Sequence, residues 1–427
     1  MARGRAPARS RRQTQPNSGD VRERAKRRAA QYKRRERREK KRVERERSRT
    51  AAYEAKGGRV KDAVEMEWEG VQYFDYGLVV MVMLLVAFGF IMLYSTSAYM
   101  ATLKYDDSLF FLKRQMFAAG LGVVAIVAVN VIGYKFLEPF AWTFYWIALA
   151  LNVIVIFKGT ALNNSSRWLY IGGISIQPSE IAKVSVIILM AFLISRHANI
   201  LNDNTNVVRL FAVVMPAVVL VAYSNLSTAV IIMGIAFTML FIAAPDIRVF
   251  IVLGLCGVLG IIMFISMAGY RSERISVWLH PEEYERGYQT LQGLYAIGSG
   301  GLFGKGLGES MQKLGPVPEA QNDMIFSIIC EELGIFGAIC VVLMYILLLW
   351  RFMIIAINAK DAFGSYLVIG IMVHIALQVL LNIAVVTNSI PNTGITLPFI
   401  SYGGTALSIL MAEMGIAMSV SRGISMR

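Results

Sequence analysis

Long apolar runs separated by short polar breaks dominate the chain from residue 77 onwards. A membrane-spanning helix needs about 20 predominantly apolar residues. The pattern predicts ten spans, at residues 77–95, 116–133, 140–157, 178–196, 210–224, 227–245, 248–268, 324–350, 364–386 and 397–419. We therefore expect an all-α integral membrane fold of ten transmembrane helices over residues 71–427.

The composition supports a membrane protein, because 56% of the residues are hydrophobic, against about 45 to 50% in soluble domains. The charge is uneven: residues 1–61 contain 24 basic and 7 acidic residues. We predict that residues 1–70 form a basic cytoplasmic tail, disordered or partly helical. Anionic lipids are the expected partners of this tail, because each Lys or Arg at a lipid surface contributes about 1 kcal/mol. A solvated tail is the simpler alternative, and no nucleic acid is expected.

Placing the basic tail in the cytoplasm sets the orientation of every span. Both termini are then cytoplasmic, and the outer connections are residues 96–115, 158–177, 269–323 and 387–396. The connection between the seventh and eighth helices, residues 269–323, is far longer than an ordinary loop, which indicates a functional or separately structured segment. Its glycine-rich stretch IGSGGLFGKGLGES lacks the spacing of a phosphate-binding P-loop. It is either a pliable or re-entrant loop, or a stretch whose bare backbone lets a lipid-linked substrate come close.

Charged residues inside the predicted spans are functional candidates, because each costs about 2.5 to 3.5 kcal/mol on insertion. Glu180 and Lys183 open the fourth span three residues apart and share a helix face; a structural ion pair is the alternative. The three cysteines and three histidines have no paired or clustered spacing, so we expect neither a disulfide framework nor a metal site.

Asp323 stands directly before the eighth span, at the end of the long outer connection. It is either the N-cap of the following helix or a functional carboxylate near Glu319. Glu331 and Glu332 lie inside the span, and we expect them to pair with interior polar groups. Four arginines near the predicted outer surface suit phosphate binding: Arg114, Arg167, Arg271 and Arg274.

Two classes of function fit these residues. An enzyme acting on a lipid-linked phosphate compound would use the carboxylate as a base and the cations for the departing diphosphate. A transporter or flippase would use the intramembrane Glu and Lys as a conduction path. The residue pattern alone does not choose between them.

Six sequence blocks carry a specific resemblance. They are FFLKRQ (110–115), SSRWLYIGGISIQPSEIAK (165–183), YRSERI (270–275), GYQTLQGLYAIGSGGLFGKGLGESMQKL (287–314), PEAQNDMIFSIICEELG (318–334) and NTGITLPFISYGGTALS (392–408). On these blocks the chain resembles the SEDS family (shape, elongation, division and sporulation) over residues 74–422. The stretch GESMQKL resembles the sequences of the division branch more than those of the elongation branch.

The resemblance implies a peptidoglycan glycosyltransferase that polymerises lipid II for septal cell-wall synthesis in the cytoplasmic membrane. It also implies a class B penicillin-binding protein and other divisome membrane proteins as partners. Asp323 matches the essential acid of the family, here as the proposed general base. The expected binding residues for lipid II and the undecaprenyl-diphosphate-linked glycan are Arg114, Arg167, Gln177, Glu180, Lys183, Arg271, Arg274, Gln292, Lys313, Glu319 and Ser401. No cofactor is certain, and a divalent cation remains an open alternative.

Two departures from the family pattern stand out. YSNLST at 223–228 replaces the common QPDLGT and loses an acid and a glycine, so a role for that acid does not apply here. Met324 replaces the usual Phe after the essential Asp, which should alter packing alone. The rival hypotheses are a lipid II flippase, a polymerase of the elongation or sporulation branch, and a scaffold that recruits other proteins.

Overall fold

The computed structural model describes residues 74–162, 165–171, 174–197, 201–266 and 269–424. All of these residues belong to one compact unit, Gln72–Arg427. The predicted basic tail at residues 1–70 lies outside the described residues and stays a prediction.

Helices make up most of the described chain. They are α1 (Tyr76–Tyr105), α2 (Phe110–Ile132), α3 (Ala141–Lys158), α4 (Pro178–Arg196), α5 (Asn204–Ser224), α6 (Leu226–Ala243), α7 (Ile247–Ser266), α8 (Gly269–Leu279), α9 (Tyr288–Ser299), α10 (Ile325–Ile357), α11 (Ala362–Val386) and α12 (Gly404–Ser421). Within the described residues, eight are long and apolar enough to cross a membrane, and two shorter apolar stretches, Ala141–Phe157 and Ile247–Gly260, fall on the third and seventh predicted spans. A helical multi-span fold is therefore confirmed, while the count of ten stays a prediction.

The expectation of an all-helical chain needs one correction, at residues 158–177. This connection forms a small antiparallel sheet of β1 (Thr160–Leu162), β2 (Ser165–Ile171) and β3 (Ile174–Ile176), in that order. Alternation along β2 explains it, because Leu169 is buried while its neighbour Tyr170 is 60% exposed. The short strands were obscured in the sequence by the longer apolar runs on either side.

The predicted outer loop at residues 269–323 is largely structured. It contains α8, α9 and three short 3-10 turns, at Pro281–Glu283, Glu285–Gly287 and Gln312–Leu314. The glycine-rich stretch after α9 then docks on α10, which is broken at Gly334 with φ 67° and ψ −167°. Gly334 lies nine residues beyond Ile325, or about 13 Å along the helix axis. The stretch thus contacts α10 well beyond the start of that helix, and its re-entry into the membrane stays a prediction.

Backbone hydrogen bonds hold the glycine-rich stretch in the helix break. The four bonds are Lys305 N to Glu331 O (2.9 Å), Gly306 N to Glu332 O (3.0 Å), Ile335 N to Gly301 O (3.0 Å) and Phe336 N to Leu302 O (3.1 Å). A break in a buried helix leaves amides and carbonyls without intrahelical partners. The docked stretch supplies those partners, which explains how a kink is tolerated at this depth.

Replacing Gly304 tests this docking. Its φ is +78°, and a Cβ there would lie 2.1 Å from the carbonyl oxygen of Glu332. Gly304→Ala should lower the thermal unfolding midpoint in detergent, since left-handed backbone alone costs an L-residue about 1 to 2 kcal/mol. Gly298→Ala is the matched control, because Gly298 is helical and a Cβ there meets nothing within 4 Å. Equal midpoints for the two variants would contradict the docked arrangement.

Side-chain contacts bring the predicted outer connections together at one end of the bundle. Arg167 Nε of β2 donates to the carbonyl of Ser224 at the end of α5 (3.1 Å). Ser227 Oγ, at the start of α6, donates to the carbonyl of Thr393 (3.1 Å). Thr405 donates to the carbonyl of Ser175 in β3. The predicted outer connections 158–177 and 387–396 therefore lie at the same end of the bundle, together with the turn between α5 and α6.

The predicted inner connections meet in the same way at the opposite end. Tyr134 Oη donates to Asp361 Oδ2 (2.5 Å), and Arg196 Nη2 lies 3.5 Å from Glu138 Oε1. Asp75, the N-cap of α1, lies 3.6 Å from Arg351 Nη2 near the end of α10. This two-ended arrangement is what an alternating series of spans requires.

Candidate functional site

The segment of residues 387–403, between α11 and α12, is the centre of the predicted outer end. Pro391, Gly394 and Pro398 interrupt any regular element here. Its backbone carbonyls accept hydrogen bonds from side chains of three helices. These are Arg274 Nη1 of α8 to Asn392 O (3.4 Å), Gln378 Nε2 of α11 to Thr396 O (3.0 Å), Asn382 Nδ2 of α11 to Ile395 O (2.7 Å) and Gln115 Nε2 of α2 to Ser401 O (3.1 Å). Because these groups are satisfied by fixed side chains, the irregular segment has a defined position.

Asp323 lies against this segment. Its backbone carbonyl accepts from Asn382 Nδ2 (2.8 Å), and the same amide group donates to Ile395. Asn382 therefore clamps Asp323 to segment 387–403. Gly394 has a φ of +68°, and a Cβ there would lie 3.7 Å from Asp323 Oδ2. Glycine thus meets the backbone requirement and leaves space beside the carboxylate.

The N-cap interpretation of Asp323 is wrong. Helix α10 begins at Ile325 with Met324 as its N-cap, and within the described chain no side chain caps it. The half-buried Asp323 carboxylate is therefore not consumed by helix capping and is available for chemistry.

The surroundings of Asp323 change its acidity. The pKa of this carboxyl is raised from 3.8 to about 6: loss of solvent is the largest cause, the hydrogen bond from its own backbone amide opposes it, and the charge of Glu319 adds to it. Glu319 is itself exposed, and its Oε2 accepts from Asn322 Nδ2 (2.8 Å). At neutral pH Asp323 is mostly ionised, yet it is a stronger base than an exposed aspartate. This suits general-base catalysis, for which the ideal pKa lies near the working pH.

Two of the predicted phosphate-binding arginines reach the neighbourhood of segment 387–403. The Arg114 guanidinium lies 4.4 Å from the centre of the Phe110 ring, and hydrogen bonding to Arg114 opposes the rise that burial causes in the pKa of Tyr402. Tyr402 in turn donates its backbone N–H to the carbonyl of Gln321 (2.9 Å), two residues before Asp323. Arg274 is exposed and bonds the carbonyl of Asn392.

The other two arginines are placed differently. Arg167 is partly buried on β2, where its guanidinium meets the end of α5. Arg271 lies on α8, and its side chain is outside what the structure describes. Its predicted role stays a prediction.

Lys183 and Glu180 form the ion pair that their spacing allowed. Lys183 Nζ lies 2.9 Å from Glu180 Oε2 and 2.9 Å from Gln378 Oε1 on α11. Gln378 also bonds segment 387–403, through the carbonyl of Thr396. Lys183 is almost completely buried, so its ammonium is held inside the bundle between Glu180 and Gln378. Gln177 immediately precedes α4, as the sequence predicted.

The remaining predicted binding residues lie in other settings. Lys313 is buried, and its ammonium contacts Glu332 Oε1 (2.7 Å) and Ser95 Oγ (3.0 Å). Gln292 is half-buried on α9. Ser401 Oγ accepts from the backbone N–H of Leu397 (2.8 Å), within segment 387–403. Lys313 is thus tied to an interior carboxylate, whereas Ser401 belongs to the segment beside Asp323.

Glu331 and Glu332 pair with interior polar groups, as expected. Both are fully buried. Lys305 Nζ lies 2.6 Å from Glu331 Oε1, and Ser310 donates to the same carboxylate. These contacts fix the side chains of the docked glycine-rich stretch.

A polar stripe on α11 was not among the residues predicted from the sequence. His374, Gln378 and Asn382 recur every fourth residue, so they share one face of the helix. All three are almost completely buried, as is Glu413 on α12, which faces His374. The four-residue spacing inside an apolar span was the signal that could have revealed them.

The segment YSNLST at 223–228, which differs from the family pattern, still caps the following helix although it lacks the acid. Asn225 Oδ1 accepts from Thr228 N (3.3 Å) and caps α6. A neutral amide thus provides the cap that an aspartate would provide. Ser227, at the position of the usual glycine, adds the bond to Thr393.

These observations define a class: a multi-span helical membrane protein with one poised carboxylate and several cations at one end of its bundle. The family model of the FtsW, RodA and SpoVE proteins, described as "Cell cycle protein", matches residues 76–425. The chain belongs to this family, which confirms the resemblance found in the sequence.

Named relatives extend over most of the chain. "Stage V sporulation protein E" of Bacillus subtilis (strain 168) is 41% identical over 354 residues, covering 82% of this chain and 97% of the relative. "Probable peptidoglycan glycosyltransferase FtsW" of Geobacter sp. (strain M18) is 36% identical over 360 residues, covering 82% and 97%.

Solved structures share the fold. A chain from "Structural coordination of polymerization and crosslinking by a peptidoglycan synthase complex" has a TM-score of 0.69 at 25% identity, covering 82% of this chain and 98% of that one. Rod shape determining protein RodA of Thermus thermophilus has a TM-score of 0.61 at 24% identity, covering 83% and 98%. The second likeness concerns the fold alone.

Proposed function

We propose that this membrane protein, a peptidoglycan glycosyltransferase by family, polymerises lipid II into glycan strands for septal wall synthesis. The observation that carries the proposal is the state of Asp323. Its backbone is clamped by Asn382, its carboxylate is free of the helix cap, and burial raises its pKa to about 6.

In the proposed reaction, a sugar hydroxyl of the acceptor attacks the anomeric carbon of the lipid-anchored glycan. The new glycosidic C–O bond forms as the bond from that carbon to the diphosphate breaks, and Asp323 takes the hydroxyl proton. Undecaprenyl diphosphate leaves with the bonding electron pair. A positioned general base typically contributes about 10² to 10⁴ in rate.

Cations near segment 387–403 stabilise the departing diphosphate in this proposal. Arg114 and Arg274 are exposed there, and the buried Lys183 adds a positive charge beside Gln378. Guanidinium groups match phosphate oxygens in a bidentate geometry. Fixed positive charge where negative charge develops is commonly the largest catalytic contribution.

A class B penicillin-binding protein is the proposed partner, in keeping with a fold shared with a chain of a peptidoglycan synthase complex. Other divisome membrane proteins, the septal location and the cytoplasmic termini belong to the same proposal. Anionic lipids are the proposed partners of residues 1–70.

The sporulation branch is the second candidate, because the sporulation relative is 41% identical and the FtsW relative 36%. Depletion during vegetative growth separates the two. Filaments without septa would support the division role, whereas normal division with defective spores would assign the chain to sporulation.

The activity itself is tested with purified protein, lipid II and gel separation of glycan products, with and without the class B partner. Polymerised glycan supports the proposal. Transfer of lipid II between vesicle leaflets without any lengthened glycan would instead support the flippase alternative, and division sustained by inactive variants would support a scaffold.

A further inference from the structure

A buried polar network runs from the middle of the bundle to the site. Its members are Glu413 on α12, His374 and Gln378 on α11, and Lys183 on α4, each at most 2% exposed. The contacts are His374 Nδ1 to Glu413 Oε1 (3.0 Å), His374 Nε2 to Gln378 Oε1 (2.9 Å), Lys183 Nζ to Gln378 Oε1 (2.9 Å) and Gln378 Nε2 to Thr396 O (3.0 Å).

The donors and acceptors fix the orientation of Gln378. The carbonyl of Thr396 can only accept, so the amide nitrogen of Gln378 must face it. The ammonium of Lys183 can only donate, so the amide oxygen must face Lys183. Both requirements agree, and the amide cannot be flipped without losing two hydrogen bonds.

The same reasoning fixes one proton on His374. Gln378 Oε1 accepts, so His374 Nε2 must carry a hydrogen. The second ring nitrogen then shares one proton with the Glu413 carboxylate. Whether that proton lies on the ring or on the carboxyl, the pair has no net charge, which is what a fully buried site favours.

We propose that His374, held by Glu413, is a positioning residue for the diphosphate-binding cation Lys183. His374 keeps the amide oxygen of Gln378 in place, and that oxygen holds the Lys183 ammonium beside Glu180. Because the Gln378 amide nitrogen also holds Thr396, the network sets the distance between Lys183 and the segment next to Asp323. This proposal rests on the proposed function for the identity of the ligand.

The test removes the pair without leaving a buried charge. His374→Leu with Glu413→Leu replaces both groups by apolar side chains, a change that buried ion pairs commonly tolerate. Gln378 Oε1 keeps Lys183 as its donor, so no new unsatisfied group arises. The thermal midpoint in detergent should therefore stay near that of the unaltered protein.

A double-mutant cycle with the joint change Lys183→Gln and Glu180→Gln then separates positioning from general stability. This background removes both buried charges together, and the new amide at position 183 can still donate to Gln378 Oε1 when His374 is replaced. Two readouts are measured, kcat/KM for lipid II polymerisation and Kd for undecaprenyl diphosphate. We expect the Leu pair to weaken both about tenfold when Lys183 is present, and to have no further effect in the background that lacks it.

Equal losses in both backgrounds, or no loss in either, would overturn the proposal. The measurement of Kd for undecaprenyl diphosphate does not depend on the proposed function, because it needs no polymerisation. If the unaltered protein makes no glycan, the proposed function fails, while the cycle in Kd still decides whether His374 acts through Lys183.

Discussion

Asp323→Asn should lower the rate of lipid II polymerisation by about 10² to 10⁴, the usual contribution of a positioned general base. Asparagine has nearly the same shape as aspartate, and Asn382 bonds the backbone carbonyl of residue 323, which the change leaves in place. The loss of rate should therefore reflect the missing base and not a change of structure. Gel analysis of glycan products made by the purified variant measures it, and undiminished polymerisation would end the proposed mechanism.

The same change should stabilise the protein at neutral pH. Because the folded-state pKa of Asp323 is raised to about 6, ionising this group costs folding free energy. That cost is absent below about pH 4, grows as the pH rises towards 6, and is complete above it. Asp323→Asn removes the cost, so its thermal midpoint should exceed that of the unaltered protein at neutral pH and approach it as the pH falls towards about 4.

The pH dependence gives an independent check on the base. Polymerisation by the unaltered protein should rise with pH through about 6 as Asp323 loses its proton. Glu319→Gln is the matched variant, because it removes the neighbouring charge that raises the pKa of Asp323 and leaves the base itself. Its profile should move to lower pH. A profile of the unaltered protein that shows no rise near pH 6 would mean that another group controls the rate.

The apolar pattern predicted the helical architecture because lipid imposes one requirement on every span. In each span about 20 apolar residues must satisfy their backbone hydrogen bonds within the helix. A run of apolar residues of that length can be recognised directly in the sequence. Asp323 could also be singled out in the sequence, because a carboxylate at the end of a long connection is unusual in so apolar a chain. The hydrogen bond that holds its backbone could not be predicted, because the donor Asn382 lies 59 positions away.

The other features that the sequence did not predict depend on contacts between residues far apart in the chain. The sheet at residues 160–176 depends on pairing such as Leu169 with Ile176, and short strands leave a weak periodic signal. The N-cap interpretation of Asp323 was locally reasonable, yet α10 begins one residue later than that role requires. Lys313 was predicted to bind substrate because of the family resemblance. In the structure it pairs with Glu332, which lies on α10 beside the break where the glycine-rich stretch docks.

Lys313→Met should destabilise the protein by about 3 to 5 kcal/mol, the usual cost of removing one partner of a buried ion pair. Lys313 and Glu332 are both buried, and their charged atoms lie 2.7 Å apart. Methionine fills similar space but leaves the Glu332 charge to the hydroxyl of Ser95. Lys113→Met is the matched control, because Lys113 pairs with Asp107 at the surface, where solvent screens the pair and its loss should hardly change the stability.

The double variant Lys313→Met with Glu332→Gln decides between structure and substrate binding. Gln removes the buried charge and can still accept from Ser95, so unfolding in detergent should show most of the stability regained. If Lys313 serves to dock the glycine-rich stretch on α10, polymerisation returns together with stability. If stability returns and KM for lipid II stays raised, Lys313 binds substrate as the resemblance implied, and the ion pair with Glu332 describes the state before the substrate enters.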